Sequence, residues 1–531
     1  MKYELYKKVA MKYVLLCILA CVCMACHNNG SSDQPSTLRI NLKTEPCSFD
    51  PRKGNDMVAS QVHFLLYEGL VRLNKDMSIT PALAETFDIS PDGKTYTFHL
   101  RDSIWSDGTP VTASDFESSW KKILDPAFPS PDAYLLYAIK NGKEAKMGQV
   151  PLSEVGIRSQ GPKTLVVELA TPTRNFLQIV ASSVLLPVSA KMEQKEPNWA
   201  MQKETIVSNG PFCLTEWQPK QQITFTKNGS YHGAKKVKLN QILVDIIDRE
   251  MPVLHMYASG HFDLVGTPLS FFPSDLLKEL KKNLTFFPAA STKFLAFNTT
   301  QFPFHNANIR RAFAYAISRQ SLVKHVTELN ESPALNVISP VLMEEDKAYF
   351  ADGDIVQAKL FFQKGLEELG VKSIGSPAFM FVPSEVNKGI VQSLQEMWLK
   401  ALGVKVTLQQ TEFKVLHERS KKGDFSMGIF AWLADYADPM NILERFTDKT
   451  CHRNYPKWEH EGYRNLVIEM PSSSSKPEYL EKVRMAEQIL VDEMPFTCLF
   501  HETYAFLLGP HVKGFEVSPL GHIYFEKISV D

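Results

Sequence analysis

The sequence predicts an α/β protein built from two or three domains. Three observations carry that reading. The chain has 531 residues, more than one hydrophobic core normally organises. Strand-like alternation and helix-like spacing take turns along most of its length. Apolar residues make up 44% and charged residues 22%, the balance of a soluble globular chain.

The elements follow in order. "TLRINLKTEP" alternates as a strand, and "DMVASQVHFLLYEGLVRLN" has helical spacing. "SPDGKT" is a turn between two strands, the second being "TYTFHLR". Thr112 or Ser114 can cap the helix "SDFESSWKKIL". "TLVVELATP" reads as a strand, and "NGPFCLTEW" with "QITFTKN" as a further hairpin. The second half begins with a long amphipathic helix, "ANIRRAFAYAISRQSLVKHV". A second helix, "DIVQAKLFFQKGLEELG", stops at Gly370. "SPAFMFVP" and "VKVTLQQ" are strands either side of the helix "KGIVQSLQEMWLKALG". The helix "EYLEKVRMAEQILVDEM" precedes "PFTCLFHETYAFLLGP", which reads as an apolar hairpin. There is no internal repeat.

The N-terminus has its own logic. Basic residues precede an apolar stretch from Val14 to Ala25, too short to span a bilayer but the right length for a signal peptide. It ends at Ala25-Cys26, before the polar run "HNNGSSDQPST". A small residue, a cysteine and a flexible linker make a bacterial lipoprotein layout. Residues 1–25 are therefore expected to be cut away, Cys26 to carry lipid, and residues 26–37 to act as a tether. Cys21 is the alternative lipid site, and Met11 an alternative start. A plain secretory signal or a membrane anchor is the competing reading. The mature chain would carry a net charge of −4 and no second stretch able to cross a membrane. Cys47, Cys213, Cys451 and Cys498 would remain, with a pairing that the sequence leaves open.

The composition also excludes. With 58 basic and 59 acidic residues there is no charge excess to hold nucleic acid. There is no G-x-S-x-G elbow, no phosphate-binding loop and no H-E-x-x-H. Cysteine spacing matches no zinc pattern. His452 and His460 share a loop and read as solvated, as do Glu344 and Glu345. No metal or other cofactor is expected, and a chain of this size without catalytic signatures leans toward binding.

Several stretches also carry a family resemblance. "LAETFDISPDGKTYTFHLRDSIWSDGTPVTASDF" and "SWKKILDP" resemble the signature region of the peptide-binding lipoproteins of ABC importers, extracytoplasmic solute-binding family 5. "EPCSFDP", "LYEGLVRLN", "SNGPFCLTEW", "LNQILVD", "FNTTQFPFHNANIRRAFAYAISR", "WLKALGVKVTL" and "WLADYADP" follow in family order. The likeness is strongest to oligopeptide-binding members. It implies a two-lobed periplasmic-binding-protein fold (class II, cluster C) with a hinge and an extra third domain. Residues 38–67, 191–290 and 504–531 would form one lobe, 68–190 the extra domain and 291–503 the other lobe. The chain would cross between lobes near Ser291 and Tyr504. The lobes would close on oligopeptides and deliver them to a permease in the inner membrane. The protein would be a monomer in the periplasm or cell envelope, lipid-anchored to the membrane, and not an enzyme. Murein peptide, haem or a chelated metal are the alternative ligands, and a non-transport envelope lipoprotein the alternative role.

The resemblance also assigns residues. Asp435, in "WLADY", stands where relatives pair an aspartate with the peptide's α-ammonium. An ammonium sealed from water needs such a partner. Trp432 and Phe413 stand where relatives place pocket aromatics. Ala431 and Leu433 could pair with the peptide backbone as an added strand. Met57, Gly266 and Thr267 stand on the opposite wall. Three positions that hold the peptide carboxylate in relatives carry Ile429, Ser420 and Asn387 here. Arg419, Lys421 and Lys422 lie nearby in sequence. Asp132 replaces a pocket aromatic; it reads as surface, or as a second carboxylate for a second amine.

Overall fold

The computed structural model describes residues 36–531 apart from 55, 274, 275, 344, 345 and 474. The expected signal segment, Cys26, nearly all of the linker and the Glu344–Glu345 pair lie outside the described residues. No helix among the described residues is long and apolar enough to cross a membrane.

Among the described residues, eleven strands form one mixed sheet. Its centre is a pair of long antiparallel strands, Thr285–Phe297 and Phe496–Leu508. On one side follow Met427–Leu433, Ala378–Phe381 and Thr407–Gln410. On the other follow Leu264–Gly266, Thr37–Leu42, Gln241–Ile246, Gln222–Lys227 and Phe212–Gln218, and the eleventh strand, Ser332–Pro333, pairs with Phe496–Leu508 off this row. The long strands join the two flanks. Their ladder breaks register between Pro288 and Thr292. Such an irregularity lets a strand pair bend, which suits a joint between rigid bodies.

A separate four-stranded antiparallel sheet forms the extra domain, from Ala84–Ile89, Thr95–Leu100, Thr164–Glu168 and Ile157–Ser159. "SPDGKT" turns between the first two, as expected. Thr112 is the N-cap of helix Ala113–Leu124, and its N–H donates to the Asp115 carboxylate at 2.8 Å. Trp120 on that helix is fully buried and donates to the Leu185 carbonyl at 2.8 Å.

Two expectations need correction. "FTCLFHETYAFLL" is one continuous strand, not a hairpin. Its polar centre looks like a turn but is satisfied within the fold. His501 lies between Thr292 (2.8 Å) and Asn336 (2.6 Å), and Glu502 accepts from the Ser291 hydroxyl. The expected long helix from Ala307 is interrupted: Ala307–Tyr315 ends, Ser318 caps a new turn, and a π-turn finishes at Thr327. The reason is Arg319. Its fully buried guanidinium donates to the carbonyls of Cys498 (2.7 Å), Ala314 and Ile317, so the chain turns to meet them.

Candidate ligand-binding site

The strand Met427–Leu433 pairs with Thr285–Phe297 along its whole length. Its other edge pairs with Ala378–Phe381 only at Met427 and Gly428. From Ile429 to Leu433 that edge has no strand partner among the described residues. Ala431 is exposed and Leu433 half-buried. An unpaired edge of this kind offers peptide groups to an extended chain.

Just past it, Ala434 donates to the Ala290 carbonyl at 2.9 Å, and Ala290 donates to that of Pro519 at 2.7 Å. This backbone relay ties the segment, through the long strand, to Pro519 near the C-terminus. Met57, the first residue of helix Met57–Leu66, reaches Gly521, where an added Cβ would also strike the Tyr504 hydroxyl. Thr267 accepts from Ala505 N–H at 2.9 Å and donates its own N–H to Ala505 O at 3.0 Å. Gly266 lies beside the same residue. Met57, Gly266 and Thr267 therefore gather around Tyr504–Phe506, and Ala431, Leu433 and Asp435 stand across the relay.

The remaining expected residues stand elsewhere. The Trp432 ring is 5% exposed and packs on Phe294 at 3.9 Å, with Phe496 and Phe446 beyond. It packs into the core, because on a pleated strand its side chain takes the face opposite Ala431. Phe413 is 63% exposed at the start of helix Phe413–Lys422, against His417. Asn387 closes its own helix start by donating to the Val382 carbonyl at 2.9 Å. Ile429 is buried, and Ser420 donates to Leu416 O within its helix. Arg419 pairs with Asp424 and Lys421 with Glu418, both at the surface. A cavity of about 290 Å³ opens beside the register break, between Phe287, Pro288 and His501–Thr503. None of the expected residues lines it.

Asp435 is the exception to open geometry. Its Oδ2 accepts from Arg453 at 2.5 Å, Arg445 at 3.2 Å, Asn441 at 3.3 Å and the Tyr134 hydroxyl. Arg453 also reaches Asp132 at 3.1 Å, and its guanidinium lies 4.6 Å from the Tyr134 ring centre. Asp132 is therefore no surface residue; its side chain is 14% exposed and paired. Asp132 and Tyr134 belong to the segment beside the four-stranded sheet. Asp435, Asn441, Arg445 and Arg453 belong to the lobe that carries Met427–Leu433. The cluster thus bridges two parts of the molecule.

Environment divides the carboxyl groups. Burial would raise Asp435, but Arg445 and Arg453 hold it below the usual carboxylate range. Asp132 is pushed up to about 6, by burial first and then by the negative charge of Asp435, against Arg453. Glu444 is pushed up to about 7 by burial, against Arg445 and its bond from Tyr436. Sequence reasoning missed Arg445, Arg453, Tyr134 and Asn441. Asn441 and Arg445 carried a signal, since a spacing of four places both on one helical face. Arg453, in the loop "CHRNY", carried none.

Glu444 gives a pH prediction. Its carboxyl binds a proton more tightly folded than unfolded. That contribution is complete below the ordinary value of 4.5 and is lost as pH rises through about 7. Glu444→Gln stays neutral throughout. Its stability relative to the native chain should therefore improve by about 2–3 kcal/mol between pH 5 and pH 8. Denaturant titrations at the two pH values measure this; an unchanged difference would refute it.

Known proteins place this architecture. The description "Bacterial extracellular solute-binding proteins, family 5 Middle" matches residues 78–454. The chain belongs to solute-binding family 5. Family members are binding proteins, and this one is 36% identical over 530 residues to the oligopeptide-binding protein OppA of Bacillus subtilis, covering 96% of this chain and 97% of the relative. It is 32% identical to the dipeptide-binding protein DppE of the same organism, covering 94% and 92%. The crystal structure of Haemophilus influenzae OppA complexed with RPPGFSPFR superposes with a TM-score of 0.81 at 25% identity, covering 94% of this chain and 99% of that one. The family likeness therefore extends over nearly the whole chain.

Proposed function

We propose that this family 5 protein captures oligopeptides between its two lobes and delivers them to an ABC importer permease. The observation that carries the reading is the unpaired edge from Ile429 to Leu433, set next to the joint between the lobes. An extended peptide added there as a strand is held by its backbone, so many sequences fit one site. Relatives that bind oligopeptides and dipeptides support the ligand class.

The lobes are assigned as 38–67 with 191–290 and 504–531, and as 291–503, with 68–190 as the extra domain. The register break between Pro288 and Thr292 supports that division. The chain works as a monomer in the periplasm, tethered through lipid on Cys26, and has no peptidase activity of its own. A chromogenic peptide assay on purified protein tests the last point.

The main test uses residues 27–531 as soluble protein. Native mass spectrometry should find it carrying a mixture of short peptides, readable by sequencing after denaturation. One bound species containing a diamino acid would shift the ligand class to murein peptides. Protein that arrives empty and ignores an added peptide library would sink the reading.

A further inference from the structure

An aspartate next to an open strand edge is the natural anchor for a ligand's α-ammonium. Here the anchor is already occupied. All four side-chain donors around Asp435 converge on Oδ2, and Arg453 and the Tyr134 hydroxyl are equally close at 2.5 Å. The Arg453 guanidinium is fixed on three sides: by Asp435, by Asp132 and by the face of Tyr134. Its side chain is 22% exposed, so water does little to weaken these contacts. Two carboxylates, Asp132 and Asp435, meet two guanidinium groups, Arg445 and Arg453. Their formal charges cancel without any ligand.

We propose that Arg453 sets the amino-terminal selectivity of this protein: its guanidinium stands in for the ligand's ammonium at Asp435, so that a free amino terminus is not required. The inference rests on the peptide reading above. An incoming ammonium has to displace a bridged and stacked guanidinium, or settle beside a cluster that is already neutral. A peptide with a blocked, uncharged amino terminus loses nothing by comparison. Removing the guanidinium leaves Asp132 and Asp435 facing each other without their shared cation, and an ammonium is then the group that relieves them.

The test compares one peptide, chosen from the pool that the protein releases, with its N-acetylated form. Titration calorimetry gives both affinities for the native chain, Arg453→Ala and Arg453→Gln, with circular dichroism confirming that each variant is folded. The native chain should bind the two forms within about threefold, and the variants should favour the free amine by about tenfold or more. The glutamine variant keeps much of the volume without the charge, which separates charge from packing. A native chain that already prefers the free amine about tenfold, or variants with an unchanged ratio, would overturn the inference and leave peptide binding intact. If neither form binds any of the three proteins, the peptide reading fails and the inference falls with it.

Discussion

Arg52→Ala should lower the unfolding free energy by about 3–5 kcal/mol, the cost of leaving a buried charge without its partner. Arg52 is 1% exposed and doubly bonded to Asp50, through Nε at 2.8 Å and Nη2 at 2.9 Å. It also grips Glu193 at 2.9 and 2.7 Å, and lies 5.1 Å from the Phe128 ring centre. Three distant parts of the chain therefore meet on one side chain. Burial disfavours its charge, but the two carboxylates more than offset this and leave the guanidinium more firmly protonated than usual. Alanine would strand Asp50, whose side chain is 3% exposed. Denaturant unfolding of the single variant and of Arg52→Met with Asp50→Asn provides the measurement. The double variant should recover much of the loss, because it leaves no fully buried charge at position 50, and Glu193, 25% exposed, can turn to water. A single-variant change below about 1 kcal/mol would show that the site relaxes or admits water.

Gly266→Ala should have the next largest effect, a loss of about 3 kcal/mol, for a different reason. Gly266 has φ +152°, which L side chains rarely adopt. A Cβ there would come within 2.1 Å of the Ala505 carbonyl and 2.7 Å of Phe506 Cα, both backbone. The strand Leu264–Gly266 must then shift from the long strand Phe496–Leu508, weakening the paired bonds between Thr267 and Ala505. This outcome also decides the role of the residue. A structural glycine loses stability and takes ligand affinity down with it. A normal unfolding curve with lost binding would instead make Gly266 a direct ligand contact.

Much of the architecture was readable in advance, wherever local chemistry acts alone. The turn "SPDGKT", the cap at Thr112 and the stop at Gly370 all fix structure through neighbouring backbone groups, and each element formed where expected. Reading failed where distant partners decide. "HET" resembles a turn until Thr292, Asn336 and Ser291 satisfy it from other elements. The helix after Ala307 is periodic enough to continue, but Arg319 finds its acceptors on the far strand at Cys498.

The site divides in the same way. The extended run from Ala431, its likeness to family 5 and the special place of Asp435 follow from the sequence alone. So does the choice of α/β layers, since hydrophobic period and turn residues are local properties. Whether Asp435 is free could not be read there. Its partners come from residues 134, 441, 445 and 453, and charge pairing depends on distance in space, not along the chain. Trp432 makes the same point: its chemistry suits a pocket or a core equally, and only the packing of Phe294, Phe446 and Phe496 around it made it core.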